Sequence, residues 1–173
     1  MRGFSCGIIP NVRDLVSVFT SSWNFTRGET LEILDSLNDA ELRFKPQGDK
    51  WQTLYWEFGC LGRTQIVYTK AIETGIMDFS LFSSTSLPSQ KDNKTKTSIK
   101  KFLEKSNSAW LEEIKEREKD ESFLISWPGF KMPLVKHIAS LAEHERLHHG
   151  QFISYFTLAG LELPPKFKSN WNL

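Results

Sequence analysis

The sequence lacks a long apolar run and lacks an excess of charge of either sign. No stretch approaches the roughly eighteen apolar residues of a membrane-spanning helix, so no membrane partner is expected. Its 22 Lys and Arg residues nearly balance 21 Asp and Glu residues, which leaves a formal net charge of +1. Because dedicated nucleic-acid binders carry a strongly basic balance or a clustered basic face, a nucleic-acid partner is not expected either.

Cysteine is scarce, and the start of the chain shows no secretory signal pattern. Cys6 and Cys60 are too few for a disulfide framework. The first residues contain one Arg and are interrupted by Pro10 before an apolar segment of useful length. A reducing, cytoplasmic location is therefore predicted. The length of 173 residues fits a single domain spanning 1–173, with about 1–10 as an N-terminal tail.

Sustained strand alternation is also missing, whereas helical periodicity is present in four segments. Apolar residues recur there at steps of three, four and seven. The predicted helices span about 11–37, 53–74, 98–118 and 133–159, with Pro133 in the first turn of the fourth, and Gly75 and Gly160 are predicted to end the second and the fourth. Loops are predicted at 119–132 and, long and polar, at 78–97 between the second and third helices. Four long helices with intervening loops indicate an all-α four-helix bundle.

The four histidines are concentrated on the last predicted helix, at His137, His144, His148 and His149. His144 and His148 are four residues apart, so a helix places both imidazoles on one face, about one turn apart. Neutral imidazole is a ligand for Zn, Ni, Fe and Cu. His137 lies roughly 10 Å further along the axis and His149 is rotated by about 100°, so neither is expected to share that metal.

A metal held by these two histidines needs a third protein ligand, which is expected from a different helix. Cys60 on the second predicted helix is a candidate, because a thiolate is a strong zinc ligand. Gly59 and Gly62 beside it allow a close approach of a neighbouring helix or leave room for a cavity, and a cation such as Arg63 would favour the thiolate. An inert buried cysteine is the alternative interpretation.

The run from His144 to His148 also matches the HExxH pattern of zinc proteases, in which the glutamate, here Glu145, is the general base. The sequence around it departs from those enzymes. Gly150 stands one place too early for the extended motif, and Glu162, in a proline-flanked tail, is the only glutamate that follows. A zinc hydrolase is therefore the less favoured alternative.

The segment His144-x3-His148-His149-Gly150-Gln151 on a last long helix resembles the signature of the DinB/YfiT-like superfamily, commonly written His-x3-His-Arg-Gly-Gln. Lys50-Trp51 ahead of the second helix and the closing segment 158–165 are also similar to that family. The resemblance implies a DinB-like bundle of up-down-down-up topology that is usually dimeric. It further implies a divalent metal held by three histidines from the second and fourth helices.

Two positions depart from the family pattern. The family's histidine on the second helix is absent, and Cys60 is the nearest matching position, so the site is either a two-histidine, one-cysteine site or a weakened one. His149 stands where the family has an arginine. Carried over to this sequence, His144 and His148 are metal ligands and Cys60 is the provisional third. Contacts to the metal ligands or to substrate are expected from Gln151, His149, Arg63 and Glu57.

Characterised relatives in that family include transferases and isomerases that use low-molecular-weight thiols. The resemblance therefore implies a divalent-metal-dependent thiol S-transferase or related detoxification enzyme, with Zn or Ni and a low-molecular-weight thiol as cofactors. An open metal position can bind such a thiol and stabilise its thiolate. Trp56, Phe152 and Tyr155 are predicted to line an apolar pocket for a small-molecule substrate, with the 78–97 loop as its polar gate. A homodimer is expected, and the alternative function is a non-catalytic stress-related bundle with a degenerate metal site.

Overall fold

The computed structural model describes residues 12–87 and 95–173 of the chain. Its elements are α1 (Val12–Ser36), α2 (Leu54–Thr74), α3 (Ser80–Ser84), α4 (Lys96–Arg117), β1 (Leu124–Trp127), β2 (Phe130–Pro133), α5 (Leu134–Ala159) and α6 (Pro165–Trp171), with a turn of 3-10 helix at Glu41–Arg43. The two strands form one antiparallel hairpin. The long helices α1, α2, α4 and α5 take the places of the four predicted ones, which confirms the all-α bundle.

Capping residues give α2 and α5 defined ends. Thr53 Oγ1 accepts a hydrogen bond from the backbone N–H of Trp56 at 3.2 Å, which satisfies one of the free donors in the first turn of α2. Gly75 ends α2 with φ 73°, a left-handed conformation that favours glycine. Gly160 ends α5 in the same way with φ 67°, so both predicted helix ends are confirmed.

Gly62 allows close contact between α2 and α4. A Cβ atom at this position would lie 2.3 Å from Cε1 of Phe102, closer than carbon atoms approach in folded proteins. The sequence predicts that the glycines beside Cys60 allow a neighbouring helix to approach closely. At Gly62 that neighbouring helix is α4.

The apolar core consists of two clusters, one toward each end of the bundle. The first contains early residues of α1 and α5 with late residues of α2 and α4, and the second contains the opposite ends of the same helices. It follows that α1 and α5 run in one direction and that α2 and α4 run in the other, an up-down-down-up order along the chain. Representative members are Trp23, Ile72, Trp110 and Ile138 in the first cluster and Leu34, Leu54, Leu103 and Phe152 in the second.

A layer of buried polar side chains separates the two clusters and involves all four long helices. Arg27 on α1 and Glu145 on α5 form an ion pair of 2.8 Å. Arg27 also donates to Oε1 of Gln65 on α2 at 3.1 Å, and Ser106 on α4 donates to the same oxygen at 2.6 Å. Because buried polar groups need partners, this network restricts how the helices can rotate against one another.

Two short elements occupy segments that the sequence presents as loops. The hairpin lies within the predicted loop at 119–132, and α3 lies within the predicted connection at 78–97. The backbone N–H of Met77 donates to the carbonyl of Ser126 and the N–H of Ser126 to the carbonyl of Gly75, both at 2.8 Å, which attaches the hairpin to the end of α2. Strands of four residues are too short to show alternation in the sequence.

Other predicted boundaries also change. Helix α4 begins at Lys96, two residues before its predicted start, because Thr95 and Ser98 form a reciprocal capping box. Helix α6 follows α5 where the sequence suggests a proline-flanked tail, since Pro165 occupies a first-turn position that tolerates proline. The predicted tail at 1–10 and residues 88–94 of the long connection lie outside the described residues. In the described part of the chain, no helix combines enough length and apolarity to cross a bilayer.

Candidate metal centre

Helices α2 and α5 bring three metal-ligating side chains together. His144 and His148 lie one turn apart on α5, and Cys60 comes from α2. Each residue offers one ligand atom, and these atoms all lie within 4.8 Å of one another. Cys60 and His148 are buried, at 7% and 5% exposure, and His144 is half-buried. The structure thus assembles the three residues that the sequence predicts as ligands.

His144 supplies an imidazole nitrogen that has no partner in the described residues. Its Nε2 atom is buried and makes no hydrogen bond there. Burial, together with the neighbouring His148, lowers the pKa of His144 to about 4. The ring is therefore neutral at pH 7, which is the form that coordinates a metal. A metal ion at this position would satisfy the unpartnered nitrogen, so the donor set fits the predicted metal.

A carboxylate on α2 orients the ring of His148. Glu57 Oε2 lies 3.1 Å from His148 Nδ1, and the Tyr155 hydroxyl donates to Glu57 Oε1 at 2.9 Å. Burial lowers the pKa of His148, but the interactions of its ring with Cys60 and Glu57 outweigh this effect and raise the pKa to about 9, so a metal ion bound here must displace a proton from this ring. Metal-binding histidines commonly bond a carboxylate through the ring nitrogen that does not bind the metal. Glu57 occupies the position of such an orienting carboxylate.

Replacing Glu57 with glutamine is expected to weaken zinc binding by about tenfold, because the amide keeps the side-chain shape but loses the charge that orients and polarises His148. Competition with a chromophoric chelator measures the zinc affinity. Glu73→Gln is the matched control, since Glu73 is an exposed carboxylate near the end of the same helix. Equal zinc affinities of Glu57→Gln and the wild type would contradict the orienting role.

Glu145, the glutamate of the HExxH pattern, is engaged by α1. Its Oε2 pairs with Arg27 at 2.8 Å, and its Oε1 accepts a hydrogen bond from Thr30 at 2.5 Å. Burial raises the pKa of Glu145, although Arg27 acts in the opposite direction. A general base must reach the proton that it removes, and this carboxylate is already committed to its partners on α1. The arrangement argues against the zinc-hydrolase alternative.

The other two histidines are parts of the bundle interior. His149 is fully buried, with Nε2 2.8 Å from Thr30 Oγ1 and its ring edge-on to Phe167 of α6. His137 lies 3.0 Å from the carbonyl oxygen of Tyr68 through Nε2 and stacks on the ring of the same tyrosine. Burial is the main cause that lowers the pKa of both rings, to about 3 for His149 and about 4 for His137. The contacts of His149 thus lie with α1 and α6, and the metal-site role expected of it stays a prediction.

The sequence associates three further side chains with the site, and one of them, Phe152, lies beside His148 with 6.3 Å between ring centroids. Gln151 is exposed on α5. Phe152 and Tyr155 lie in the core at 0% and 1% exposure, where Phe152 stacks on Phe58 with 4.4 Å between ring centroids. Both rings complete the second core cluster, and that they line a pocket stays a prediction. Tyr155 contributes indirectly, by holding Glu57.

A cavity of about 330 Å³ opens beside His144. Its wall is mostly apolar and comes from α2, from the segment that follows α2 and from α3. Phe79 and Phe82 fall within the segment predicted as a polar loop, so the sequence analysis does not name them as pocket residues. Their spacing of three residues is typical of one face of a helix and is the signal that could have identified them. The residues that line the cavity are Thr64, Val67, Tyr68, Met77, Phe79, Phe82 and His144.

Arg63 lies on α2 one turn after Cys60, between two aromatic rings. Its guanidinium carbon is 4.4 Å from the centroid of the Phe82 ring and 5.3 Å from that of Trp56. Phe82 also lines the cavity, so its ring lies between Arg63 and a cavity whose lining does not include Arg63 itself. Trp56, which is predicted to line a pocket, contacts Arg63 here.

Comparisons with known proteins agree with this architecture. A family model described as the DinB superfamily matches residues 22–152, a range that includes all three residues of the cluster. A DinB-like protein from Bacillus cereus, known from its crystal structure, matches with a TM-score of 0.60 and 21% identity over 86% of this chain and 95% of that chain. A DinB-like protein from Bacillus subtilis gives 0.58 and 20% over 87% and 96%. At these identities the likeness concerns the fold, and no curated protein matches the chain.

Proposed function

Because the chain belongs to the DinB superfamily, we propose that it binds a divalent metal ion and transfers a low-molecular-weight thiol to an electrophilic small molecule. The observation that carries the proposal is the convergence of ligand atoms from Cys60, His144 and His148 within 4.8 Å, beside an apolar cavity. Two nitrogens and one sulfur suit zinc, and nickel is the second choice. A cytoplasmic homodimer, as predicted from the sequence, is kept as part of this proposal.

The donor set suits catalysis better than a purely structural role. Three protein ligands leave one position of a tetrahedral zinc ion open, whereas structural zinc sites use four. A divalent metal bound here would supply the charge that stabilises a thiolate at neutral pH. In the transfer, the thiol sulfur forms a bond to an electrophilic carbon, the leaving group departs with the bonding electron pair, and the thiol proton passes to solvent.

The surrounding side chains position and shield the reactants. Glu57 holds the His148 ring, and Tyr155 holds Glu57, so the ring keeps its orientation when the cavity is filled. Phe79 and Phe82 form part of the cavity wall beside His144, which provides an apolar surface for the substrate and restricts water near the reacting sulfur.

The proposal is tested by thiol transfer to 1-chloro-2,4-dinitrobenzene, followed by absorbance, with a panel of small thiols that includes cysteine and N-acetylcysteine. Zinc-loaded wild-type protein is expected to accelerate transfer, whereas the metal-free protein and the His148→Ala variant are expected to show the background rate, because the site then lacks its metal. Ser154→Ala, at an exposed position of the same helix, is the matched control and should retain the full rate.

Equal rates with and without zinc for every thiol would contradict the transferase proposal. If zinc nevertheless binds with full occupancy, the result favours the second candidate, a non-catalytic helical bundle that uses the metal site for binding alone. The alternative rests on the resemblance described above, in which the family's histidine on the second helix is absent here and Cys60 is the nearest matching position.

A further inference from the structure

Arg63 is a half-buried cation without an acidic partner in the described residues. Its Nε and Nη2 atoms are buried and make no hydrogen bond. Arg27, the guanidinium in the polar layer, also has unbonded Nε and Nη1 atoms, but its charge is paired with Glu145 at 2.8 Å, whereas Arg63 has no such ion pair within the described part of the chain. Leaving buried donors unpaired costs free energy, so an unpaired guanidinium edge in a native protein calls for an explanation such as a missing anion.

The unpaired edge of Arg63 has the shape that recognises a carboxylate. Nε–H and Nη2–H point in the same direction from the planar guanidinium, so they can donate two parallel hydrogen bonds to the two oxygens of one carboxylate. The rings of Trp56 and Phe82 hold the guanidinium plane by cation–π contacts, which limits the orientations that the edge can adopt.

The edge can become accessible through movement of α3. This helix has five residues, none of them buried, and it carries Phe82, which covers Arg63. Phe79, just before α3, is 51% exposed. Segments with little buried apolar surface open at low free-energy cost, so a ligand can displace α3 and reach Arg63 from the cavity.

We propose that Arg63 binds the carboxylate of the small molecule that occupies the cavity, so that the substrate is a carboxylate with an apolar body. The apolar body lies against Met77, Phe79 and Phe82, and its reacting end lies toward His144. This inference rests on the proposed function in taking the cavity beside the cluster as the substrate site.

Calorimetric titration with 3-phenylpropanoate and 4-phenylbutanoate tests the proposal, with the corresponding neutral amides as paired ligands. Wild-type protein is expected to bind each carboxylate at least about tenfold more tightly than its amide, because charge-assisted hydrogen bonds to the buried Nε–Nη2 edge of the guanidinium are strong. Arg63→Met should bind the carboxylate and the amide equally. Arg63→Lys keeps the charge but loses the two parallel hydrogen bonds, so an intermediate preference is expected.

Lys70→Met is the matched control, since it removes an exposed cation of the same helix, and it should keep the wild-type preference. Urea unfolding of Arg63→Met and Arg63→Lys establishes that each variant is folded before it is titrated. Failure of both carboxylates to bind wild-type protein at millimolar concentration, equal binding of carboxylate and amide, or a preference that survives in Arg63→Met would each overturn the proposal.

Titrations of metal-free and zinc-loaded protein separate this inference from the proposed function. A carboxylate preference in metal-free protein that disappears in Arg63→Met supports the Arg63 site even if zinc does not bind. Zinc-dependent thiol transfer without any carboxylate preference would support the transferase and reject the Arg63 site.

Discussion

Replacing both His144 and His148 with alanine is expected to abolish zinc binding, from about one equivalent per chain to none. The two imidazoles supply two of the three clustered ligand atoms, and Cys60 alone would remain. Zinc sites in proteins use at least three protein ligands, so a single thiolate will not retain the ion against solvent and buffer. The metal content of protein purified without a chelator or an affinity tag, after growth with added zinc or nickel, measures the outcome.

Single variants separate the contributions of the ligands. Cys60→Ala should weaken zinc binding as His144→Ala does, and full zinc affinity of Cys60→Ala would reject the cysteine as the third ligand. Ser154→Ala should retain its metal, since residue 154 is exposed on α5. Zinc retained by the double histidine variant, or wild-type protein without metal under every supplement, would contradict the metal site.

Replacing Arg27 with methionine is expected to lower the free energy of unfolding by about 3–5 kcal/mol. The side chains of Arg27 and Glu145 are 2% and 1% exposed and pair at 2.8 Å. Without the guanidinium, the Glu145 carboxylate stays buried without its cation, and Gln65 loses its hydrogen bond from α1. Urea unfolding followed by circular dichroism at pH 7 measures the change.

A double variant shows whether the loss comes from the unpaired charge. Arg27→Met with Glu145→Leu replaces the ion pair by apolar side chains and should recover most of the lost stability. Lys100→Met is the control, because it breaks the exposed pair of Lys100 with Asp35 at 2.7 Å and is expected to cost less than about 1 kcal/mol. A loss in Arg27→Met no larger than in Lys100→Met would show that the buried pair does not stabilise the fold.

The long helices could be predicted from the sequence because their signals are local. Apolar spacing of three and four residues, and the glycines at Gly75 and Gly160, act through neighbours along the chain. The hairpin and α3 have only four or five residues per element, which is shorter than the window in which periodicity becomes visible. Phe79 and Phe82, which form part of the wall of the cavity beside His144, were not recognised in the sequence for the same reason.

The sequence by itself determined that His144 and His148 share one face, because the pitch of an α-helix places residues four apart together in any fold. Only the tertiary structure decided what meets that face. Cys60 approaches it from α2, whereas Glu145, one residue after His144, pairs with Arg27 on α1. Contacts between helices depend on how each helix is rotated about its axis and shifted along it. This rotation and shift follow from the apolar surface buried in the two core clusters and from the polar layer between them.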